Sequence, residues 1–441
     1  MREMKDSGVP WIGEFPKVWR KYRVKYNTFL KGRIGWQGLN SSDFLDEGYC
    51  LITGTDFDNK GGIHWETCYR ISKERFDEDE LLHVRKGDLL MTKDGTVGKM
   101  ALIRSLPEEA SLNSHLLIIR QTTELMSNDY LYWIMLSDVF KRFCLLYQSG
   151  SIMNSISQGT LQFFSCPCPP KKEQKRIADF LDSKCAEIDS ILENTRASIE
   201  GYKALKQSVI TEAVTKGVRG DRPMKETGVE WIGAIPVNWR NYRIKYNTFL
   251  KGRIGWQGLN SSDFIDEGYC LITGTDFDNK GGIHWETCYR ISKERFDEDE
   301  LLHVKEGDLL MTKDGTVGKM ALIKHLPEEA SLNSHLLIIR QISHLMSNEF
   351  LYWAMLSDVF KRFCALYQSG SIMSSIGQGT LQAFSCPCPP IDEQQEIAAY
   401  LDKKCATIDS LIASKEALIT ELEAYKKSII YEYVTGKKEV Y

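Results

Sequence analysis

The sequence has no stretch near the ~18 consecutive apolar residues that a membrane-spanning helix requires. It also begins without the charged and then apolar segments of a secretory leader. We therefore expect neither membrane insertion nor secretion and predict a cytoplasmic protein. Because 42% of the 441 residues are hydrophobic and 26% are charged, the chain has the composition of a folded protein of roughly two to four domains.

The twelve cysteines lack the spacing of a metal site. One residue separates Cys166 from Cys168, whereas zinc knuckles place about two to four residues there, and no histidine pair follows. No metal is therefore expected, and the cysteines are predicted to be reduced and mostly buried.

Motifs of DNA-modifying or nucleotide-binding catalysis are also missing. An adenine methyltransferase would carry a glycine-rich cofactor loop and an Asn/Asp-Pro-Pro-aromatic turn, but cysteine precedes both Pro169-Pro170 and Pro389-Pro390. The segment "KDGTVGKM" has too short a spacing between its glycines for a P-loop and no hydroxyl after its lysine. We predict that this chain has no catalytic residue and binds no cofactor.

Two aspartates and two histidines allow more than one interpretation. Asp56 and Asp58 have the spacing of metal-binding carboxylates, as a nuclease would need, but a neighbouring asparagine and two glycines favour a turn. His64 and His115 have no catalytic partner nearby in the sequence, and we interpret them as structural or groove-lining residues.

The net charge of −4 lacks the basic surplus that is usual in nucleic-acid-binding proteins. A patch of positive charge is still possible, because basic residues recur at Lys31, Arg33, Lys93 and Lys99, while acidic residues gather in "FDEDE" at Phe76–Glu80.

The most informative feature present is a long internal repeat. A shift of 220 residues matches 133 of the 150 positions from Lys21 to Pro170, but only 21 of the 50 from Lys171 to Gly220. Each half therefore has a near-copied block followed by a diverged block. The period is far longer than the ~20 to 50 residues of a solenoid repeat, so it indicates two domain pairs.

The copied block has the pattern of a β-rich domain with small helices. Short apolar or alternating stretches are separated by glycine and polar turns, and residues 59–62 and Asp94-Gly95 predict hairpin turns. Apolar residues spaced by three or four predict one helix over Asn128–Leu146. The fold class is thus predicted to be α+β.

The diverged block predicts one long helix in each half. "CPCPP" ends the copied block, and the two prolines suit a helix start, whereas Gly217 suits its end. Roughly 40 residues at ~1.5 Å each give a helix of about 60 Å. Apolar stripes near heptad spacing predict helix–helix packing through Leu181, Ile188, Leu192, Ile199, Tyr202 and Val209 in the first helix, and Leu401, Ile408, Ile412, Ile419, Leu422 and Ile429 in the second.

These stripes need a partner. An antiparallel pair within one chain is favoured by the high effective concentration of two linked helices, and it would relate the halves by a pseudo-twofold axis. Pairing between two chains of a homodimer is the alternative.

Several motifs together resemble the specificity subunit of type I restriction-modification systems. They are "SGVPWIGEFPKVW", "GRIGWQGLN", "ITGTDFDNKGGIHW", "GDLLMTKDGTVGKMALI" and "PCPPKKEQKRIADFLDSKCAEID", and the series occurs twice over nearly the whole chain. The resemblance implies two target-recognition domains separated by two long helices, which space the domains and bind two methyltransferase subunits. It also implies a non-catalytic subunit, with S-adenosylmethionine, ATP and magnesium on partner subunits.

The corresponding domain order is a recognition domain with an N-terminal strap at 1–165, a spacer helix at 166–217, a linker strap and second recognition domain at 218–385, and a second helix and tail at 386–441. The predicted partners are double-stranded DNA and two methyltransferase subunits, and the sequence leaves open whether restriction or translocase subunits join them. A coiled-coil scaffold that binds a protein or another non-DNA ligand is the alternative function.

Three loops of the copied block are predicted to contact DNA, because they combine amides, hydroxyls and basic groups with glycines. The first loop contributes Lys31, Arg33, Gln37 and Asn40, with Lys251, Arg253, Gln257 and Asn260 in the second copy. The second loop contributes Lys93, Asp94, Thr96 and Lys99, with Lys313, Asp314, Thr316 and Lys319. The third loop contributes Gln148, Ser149, Ser151, Asn154 and Gln158, with Gln368, Ser369, Ser371, Ser374 and Gln378.

The near-identity of the two blocks predicts an inverted-repeat DNA target. Two like domains related by a twofold axis would read the same short word on opposite strands, about 10 base pairs apart between centres, with an unread gap of roughly five to eight. Asn154 becoming Ser374 and Ser157 becoming Gly377 could make the halves differ at one position.

Overall fold

The computed structural model describes residues 2–33, 39, 41–58, 60–147, 155–253, 259, 261–278, 280–314, 317–367 and 375–440. The chain forms two compact units, one of Met1–Arg196 with Glu416–Tyr441 and one of Ala197–Lys415. Each unit therefore contains one β-rich domain and part of each of two long helices. The predicted α+β class is confirmed.

The first unit has eleven strands among its described residues, and the first long helix begins in it. The strands are β1 (Met4–Asp6), β2 (Glu14–Pro16), β3 (Arg20–Arg23), β4 (Thr28–Lys31), β5 (Tyr49–Ile52), β6 (Tyr69–Ile71), β7 (Leu89–Thr92), β8 (Met100–Leu102), β9 (Ala110–Leu112), β10 (Leu116–Gln121) and β11 (Ser165–Cys168). The helices are α1 (Val24–Asn27), α2 (Lys73–Asp77), α3 (Asn128–Leu136), α4 (Asp138–Leu146), α5 (Gln158–Leu161) and α6 (Lys171–Lys216).

A four-stranded antiparallel sheet in the order β4-β10-β7-β8 forms the centre of this unit. Its side chains alternate between two apolar clusters: Leu89 and Met91 pack with the helices, whereas Leu90 packs in a second cluster with Cys50 and Ile52 of β5. The second cluster involves the three-stranded sheet β6-β5-β9, in which β5 and β9 are parallel. Burial on both faces explains the continuous apolar runs of β7 and β10.

The sequence correctly predicted the β7–β8 hairpin, but its single helix over Asn128–Leu146 is wrong. Two helices, α3 and α4, meet at Ser137, whose backbone is extended at φ −79° and ψ 168°. The Ser137 side chain accepts the Val139 N–H and donates to the Ile134 carbonyl oxygen. One serine thus ends a helix and caps the next, while the apolar spacing continues across the break.

The second unit repeats these elements, except that a 3-10 helix at Ile244–Tyr246 stands in place of α1 and the smaller sheet has one additional short strand. The strands are β12 (Met224–Glu226), β13 (Ala234–Pro236), β14 (Arg240–Arg243), β15 (Thr248–Gly252), β16 (Phe264–Ile265), β17 (Tyr269–Ile272), β18 (Tyr289–Ile291), β19 (Leu309–Thr312), β20 (Met320–Leu322), β21 (Ala330–Leu332), β22 (Leu336–Gln341) and β23 (Ser385–Cys388). The helices are α7 (Lys293–Asp297), α8 (Asn348–Leu356), α9 (Asp358–Leu366), α10 (Gln378–Gln382) and α11 (Ile391–Val434).

The long helices α6 and α11 are antiparallel within each unit. In the first unit, Lys426 of α11 donates to Asp189 of α6 at 2.5 and 2.7 Å. In the second unit, Lys206 of α6 donates to Asp409 of α11 at 2.7 Å, and these two residues are the repeat equivalents of the first pair. The predicted antiparallel pairing within one chain is therefore confirmed.

The predicted packing stripe lies inside the helix pairs. Each unit joins part of this stripe to the core of its β-rich domain in one apolar cluster. The buried members are Leu181, Ile188, Leu192, Ile199, Leu401, Ile408 and Ile429, and the half-buried members are Tyr202, Val209, Ile412, Ile419 and Leu422. None of the described helices is long and apolar enough to cross a membrane.

Each unit also holds a strap, which we define as residues 2–19 in the first and 222–239 in the second. Gly217, with φ at +80°, ends α6 and leads directly into the second strap. The first strap instead meets the end of α11, where a Cβ added at Gly436 would lie 2.4 Å from Pro16 Cγ. Each strap therefore lies at the C-terminal end of a long helix, the first at the end of α11 and the second at the end of α6.

All twelve cysteines are free thiols, and only Cys168 and Cys364 are not fully buried. Burial raises the pKa of Cys144 and of Cys185 to about 12. The prediction that the cysteines are mostly buried is confirmed.

Candidate nucleic-acid interface

The second and third predicted DNA-contacting loops meet at the end of β7. Asp94 forms a β-bridge with Ser155, and the Ile156 N–H donates to the Lys93 carbonyl oxygen at 2.8 Å. The end of the third loop is therefore fixed to the β7–β8 turn by backbone hydrogen bonds, although the two segments are about 60 residues apart in the sequence.

The first loop leaves β4 beside the same turn. A Cβ added at Gly32 would lie 2.9 Å from both the Leu116 carbonyl oxygen and Leu117 Cδ2, so the close approach of two chain segments requires glycine there. The side chain of Gln158, at the end of the third loop, donates to the Leu30 carbonyl oxygen at 2.8 Å. The described parts of the three loops consequently converge on one edge of the β4-β10-β7-β8 sheet, which we call the loop edge.

The second unit builds an equivalent loop edge on the β15-β22-β19-β20 sheet. Asp314 bridges Ser375, and the Ile376 N–H donates to the Lys313 carbonyl oxygen at 2.8 Å. Gln378 donates to the Leu250 carbonyl oxygen at 2.9 Å. The sequence repeat is thus a repeat of contacts as well.

The basic residues of the first loop are held by the acidic segment that follows α2. Lys31 pairs with Asp79 at 2.7 Å. Arg33 has no exposed side-chain surface, and it donates to Glu78 and to the Leu112 carbonyl oxygen at 3.2 and 3.1 Å. The guanidinium groups of Arg33 and of its copy Arg253 are both buried in this way, which favours a structural role for them, and the DNA contact predicted for these two residues stays a prediction.

The β7–β8 turn presents its polar side chains at the loop edge. Lys93 pairs with Asp94 at 3.0 Å, and Lys99 is exposed. The Thr92 hydroxyl donates to the Thr96 carbonyl oxygen and accepts the Lys99 N–H, so it sets the shape of the turn from inside. The second copy retains the Lys319 N–H to Thr312 bond at 3.0 Å.

His115, which the sequence analysis interprets as a structural or groove-lining residue, lies at the loop edge. Its carbonyl oxygen accepts the Lys93 N–H at 2.8 Å, and its Nδ1 lies 3.5 Å from Asp94 Oδ2. The repeat equivalents His335 and Asp314 are 3.4 Å apart. Only the pairing of strand ends reveals this proximity, because 20 residues lie between Asp94 and His115 in the sequence.

Lys251 pairs with Asp299 at 2.7 Å, as Lys31 does with Asp79. The other predicted contacts lie outside the described residues. They are Gln37, Asn40, Gln148, Ser149, Ser151, Asn154, Gln257, Asn260, Thr316, Gln368, Ser369, Ser371 and Ser374.

The two aspartates considered as metal ligands form turns instead. Asp56 is buried and accepts hydrogen bonds from the Thr53 N–H, the Thr53 hydroxyl and the Thr67 hydroxyl. Asp58 Oδ1 accepts the backbone N–H groups of Lys60 and Gly62. The turn interpretation is confirmed, although Asn59 itself lies outside the described residues.

A cleft of about 760 Å³ in the first unit extends from the β7–β8 turn to the helices. Lys99 and Arg104 line it on the domain side, and Asp189 and Lys426 line it on the helix side. Asp182 on α6 fixes the two sides together, because it accepts hydrogen bonds from Arg104 and from Trp133 Nε1 at 3.0 Å. The domain that carries the loop edge is therefore held against α6.

Comparison with known proteins supplies the context for this geometry. Residues 35–201 and 255–424 match the family model described as the type I restriction modification DNA specificity domain. Among curated proteins, the chain is 24% identical to the type I restriction enzyme MjaVIII specificity subunit of Methanocaldococcus jannaschii, over 96% of this chain and 94% of that protein. It is 25% identical to the putative type I restriction enzyme MjaX specificity subunit of the same organism, over 94% of this chain and 98% of that protein.

Solved structures show the same fold. A chain from a structure on complex assembly and conformational transition of the type I R-M system has a TM-score of 0.74 at 17% identity, covering 96% of this chain and 99% of that chain. The HsdS subunit from Thermoanaerobacter tengcongensis has a TM-score of 0.55 at 16% identity, covering 98% of this chain and all of that chain.

Proposed function

This chain belongs to the family of type I restriction-modification DNA specificity proteins, and we propose that it directs a methyltransferase complex to a DNA target of two half-sites. Recognition of DNA targets is the general role of this family, and its specificity subunits are non-catalytic. The observation that carries the proposal is the repeated loop edge, built by the Asp94–Ser155 bridge in one unit and the Asp314–Ser375 bridge in the other. Each loop edge reads one half-site.

The half-sites form an inverted repeat in this proposal. The backbone contacts that build the two loop edges match residue for residue among the described residues, which supports two recognition surfaces of similar shape. Of the two differences near the third loop, Ser157 caps α5 by accepting the Thr160 N–H, and Gly377 begins α10 without a side-chain cap. That difference affects helix capping. Asn154 and Ser374 are therefore the remaining pair that could make the two half-site sequences differ. The gap between half-sites is roughly five to eight base pairs.

Methyltransferase subunits bind the long helices, one for each unit. Apolar side chains outside the packed stripe remain exposed on the helices, namely Ile191, Leu418 and Tyr425 in the first unit, and Leu205, Ile391, Tyr400 and Leu411 in the second. Exposed apolar groups at helical spacing favour packing against helices of another subunit. Both units therefore have related surfaces, because Ile191 is the repeat equivalent of Leu411 and Leu205 is that of Tyr425.

The chemistry resides on the partner subunits. S-adenosylmethionine binds the methyltransferase subunits, and ATP and magnesium serve a restriction or translocase subunit where one is present. This chain contributes target selection, and the complex acts on DNA in the cytoplasm.

Selection from a random duplex pool tests the proposal. The full-length chain, with and without its co-expressed methyltransferase subunit, is used to enrich duplexes, and methylation of the enriched duplexes is then mapped. We expect an inverted repeat with a fixed gap. Two unrelated half-sites would contradict the inverted repeat, and a complex that enriches no duplex would favour the scaffold function instead.

A further inference from the structure

The loop edge has little positive charge available for DNA phosphates. Lys31 is paired with Asp79, Arg33 is buried against Glu78, and Lys93 is paired with Asp94. The loop segments 34–40 and 148–154 contain no charged residue in the sequence. The described positive groups of the first unit are thus largely neutralised, although phosphate contacts often supply a large share of the affinity of a DNA-binding protein.

His115 can add charge at this position. It lies in the turn between β9 and β10, its side chain is 66% exposed, and its Nδ1 is 3.5 Å from the Asp94 carboxylate. His335 is equally exposed and lies 3.4 Å from Asp314. Histidine is the side chain whose charge ordinarily changes between pH 5 and pH 8.

The charged groups around His115 determine the effect of protonation. The second loop presents Lys93 and Asp94, whose charges sum to zero, and Lys99 is exposed farther along the turn. From the first loop, Lys31 and Arg33 are held by Asp79 and Glu78, and the third loop contributes Ser155 and no charge. With a neutral His115, the group of Lys93, Asp94 and His115 has no net charge. Protonation of His115 to an imidazolium gives this group a net positive charge, next to the Asp94 carboxylate.

Binding of DNA brings phosphate charge to this surface. Negative charge near an imidazole favours its protonated form, and protonation in turn favours binding of the negative duplex. We propose, on the basis of the proposed function, that His115 and His335 contact DNA phosphates as imidazolium groups and that complex formation takes up one solvent proton at each. Affinity for the target then rises as the pH falls.

The test measures this proton uptake directly. The full-length chain, together with its methyltransferase subunit if that is needed, is titrated with its selected duplex by calorimetry near pH 7.5, in two buffers of different ionisation enthalpy. We expect uptake approaching two protons per chain, and a logarithm of the association constant that falls by as much as ~2 per pH unit. The double variant His115→Gln/His335→Gln should lose both effects.

Two further variants control for folding and for other histidines. His115→Lys/His335→Lys carries a fixed charge, so it should bind tightly at every pH without proton uptake. His64→Gln/His284→Gln removes another exposed histidine beside a carboxylate, since His64 Nδ1 lies 3.3 Å from Glu66, and it should keep the wild-type pH dependence.

Each result decides the question. Unchanged uptake in the His115→Gln/His335→Gln variant, loss of uptake in the His64→Gln/His284→Gln variant, or a wild-type affinity that is independent of pH would overturn the inference while leaving DNA recognition intact. Failure to bind any duplex specifically at any pH would instead reject the proposed function.

Discussion

Trp239 donates its indole N–H to Glu393 Oε2 at 2.9 Å, in the first turn of α11. The repeat equivalents Trp19 and Glu173 make the same bond at 3.1 Å in the first turn of α6. In the second unit, the other oxygen of Glu393 pairs with Arg222 of the strap. One carboxylate therefore fastens each strap to the beginning of a long helix.

Removal of the Glu393 carboxylate should destabilise the second unit strongly. Glu393 has no exposed side-chain surface, so Glu393→Ala leaves the Trp239 indole N–H without its acceptor and Arg222 with only the Lys216 carbonyl oxygen, at a cost of about 3 kcal/mol in the free energy of unfolding. Urea-induced unfolding of the full-length chain measures the change. Glu124→Ala breaks a salt bridge with Lys171 in which Glu124 is 95% exposed, and it should have no measurable effect. Equal effects of the two substitutions would contradict this assignment.

The break between α3 and α4 should depend on Ser137. Ser137→Ala removes the acceptor for the Val139 N–H and should lower the free energy of unfolding by about 1 kcal/mol. Ser157→Gly, which installs the residue found at the equivalent position 377, should cost only a few tenths of that amount. A larger loss from Ser157→Gly than from Ser137→Ala, measured by thermal unfolding, would argue against the capping role.

Lys99 and Lys319 should contribute sequence-independent affinity. Both are exposed in the β7–β8 turn or its copy, so the Lys99→Ala/Lys319→Ala variant should bind target and scrambled duplexes more weakly by similar factors. The slope of log affinity against log salt concentration should decrease by roughly 2. Arg33→Ala is the contrasting variant, because its side chain is buried and its main effect should be lower thermal stability. A loss confined to the target duplex would show that the lysines read bases.

The glutamines of the third loop should maintain discrimination by holding that loop in place. Gln158→Ala/Gln378→Ala removes the bonds to the Leu30 and Leu250 carbonyl oxygens, so the loops should lose their anchor to the sheet. We expect a smaller affinity ratio between target and scrambled duplexes, measured by fluorescence anisotropy, with about 1 kcal/mol lost in stability per site. An unchanged ratio would remove these glutamines from the recognition mechanism.

Rejoining the termini should preserve DNA recognition. Arg2 of the first strap pairs with Glu439 at 2.5 Å, and Tyr130 donates to the Val434 carbonyl oxygen at 3.0 Å, so the chain ends lie close together in the first unit. A chain with joined termini and a new opening near Gly220 should select the same duplex as the parent. An opening within β10 is the control and should abolish binding, because it interrupts the central sheet. Loss of recognition in the first permutant alone would show that the linker at Gly220 must be continuous.

The internal repeat and the helical periodicity made the overall fold predictable from the sequence. Breaks within a helical segment were not predictable in this way. The spacing of apolar residues is the same on both sides of Ser137, so periodicity alone could not separate α3 from α4. The deciding interaction is a side-chain cap, which involves one serine and does not disturb the apolar pattern.

The candidate interface was only partly predictable because its contacts link distant segments. Arg33 in a glycine-rich loop resembles an exposed DNA ligand until Glu78, 45 residues later, is brought beside it. His115 is the opposite case: it was not among the predicted DNA contacts, but the β-sheet register places it next to Asp94. Which side chains share a surface is thus decided by strand pairing, and no single segment of the sequence contains that information.

The buried thiols can be used to detect local opening of the folded chain. Each unit contains six cysteines, and burial raises the pKa of Cys364 and of Cys405 to about 11, which keeps these thiols in their unreactive protonated form. An alkylating reagent can therefore modify most sites only when the surrounding structure opens. Mass spectrometry of timed alkylation would rank the cysteines by exposure rate and show, without an added label, which of the two nearly identical halves loosens first.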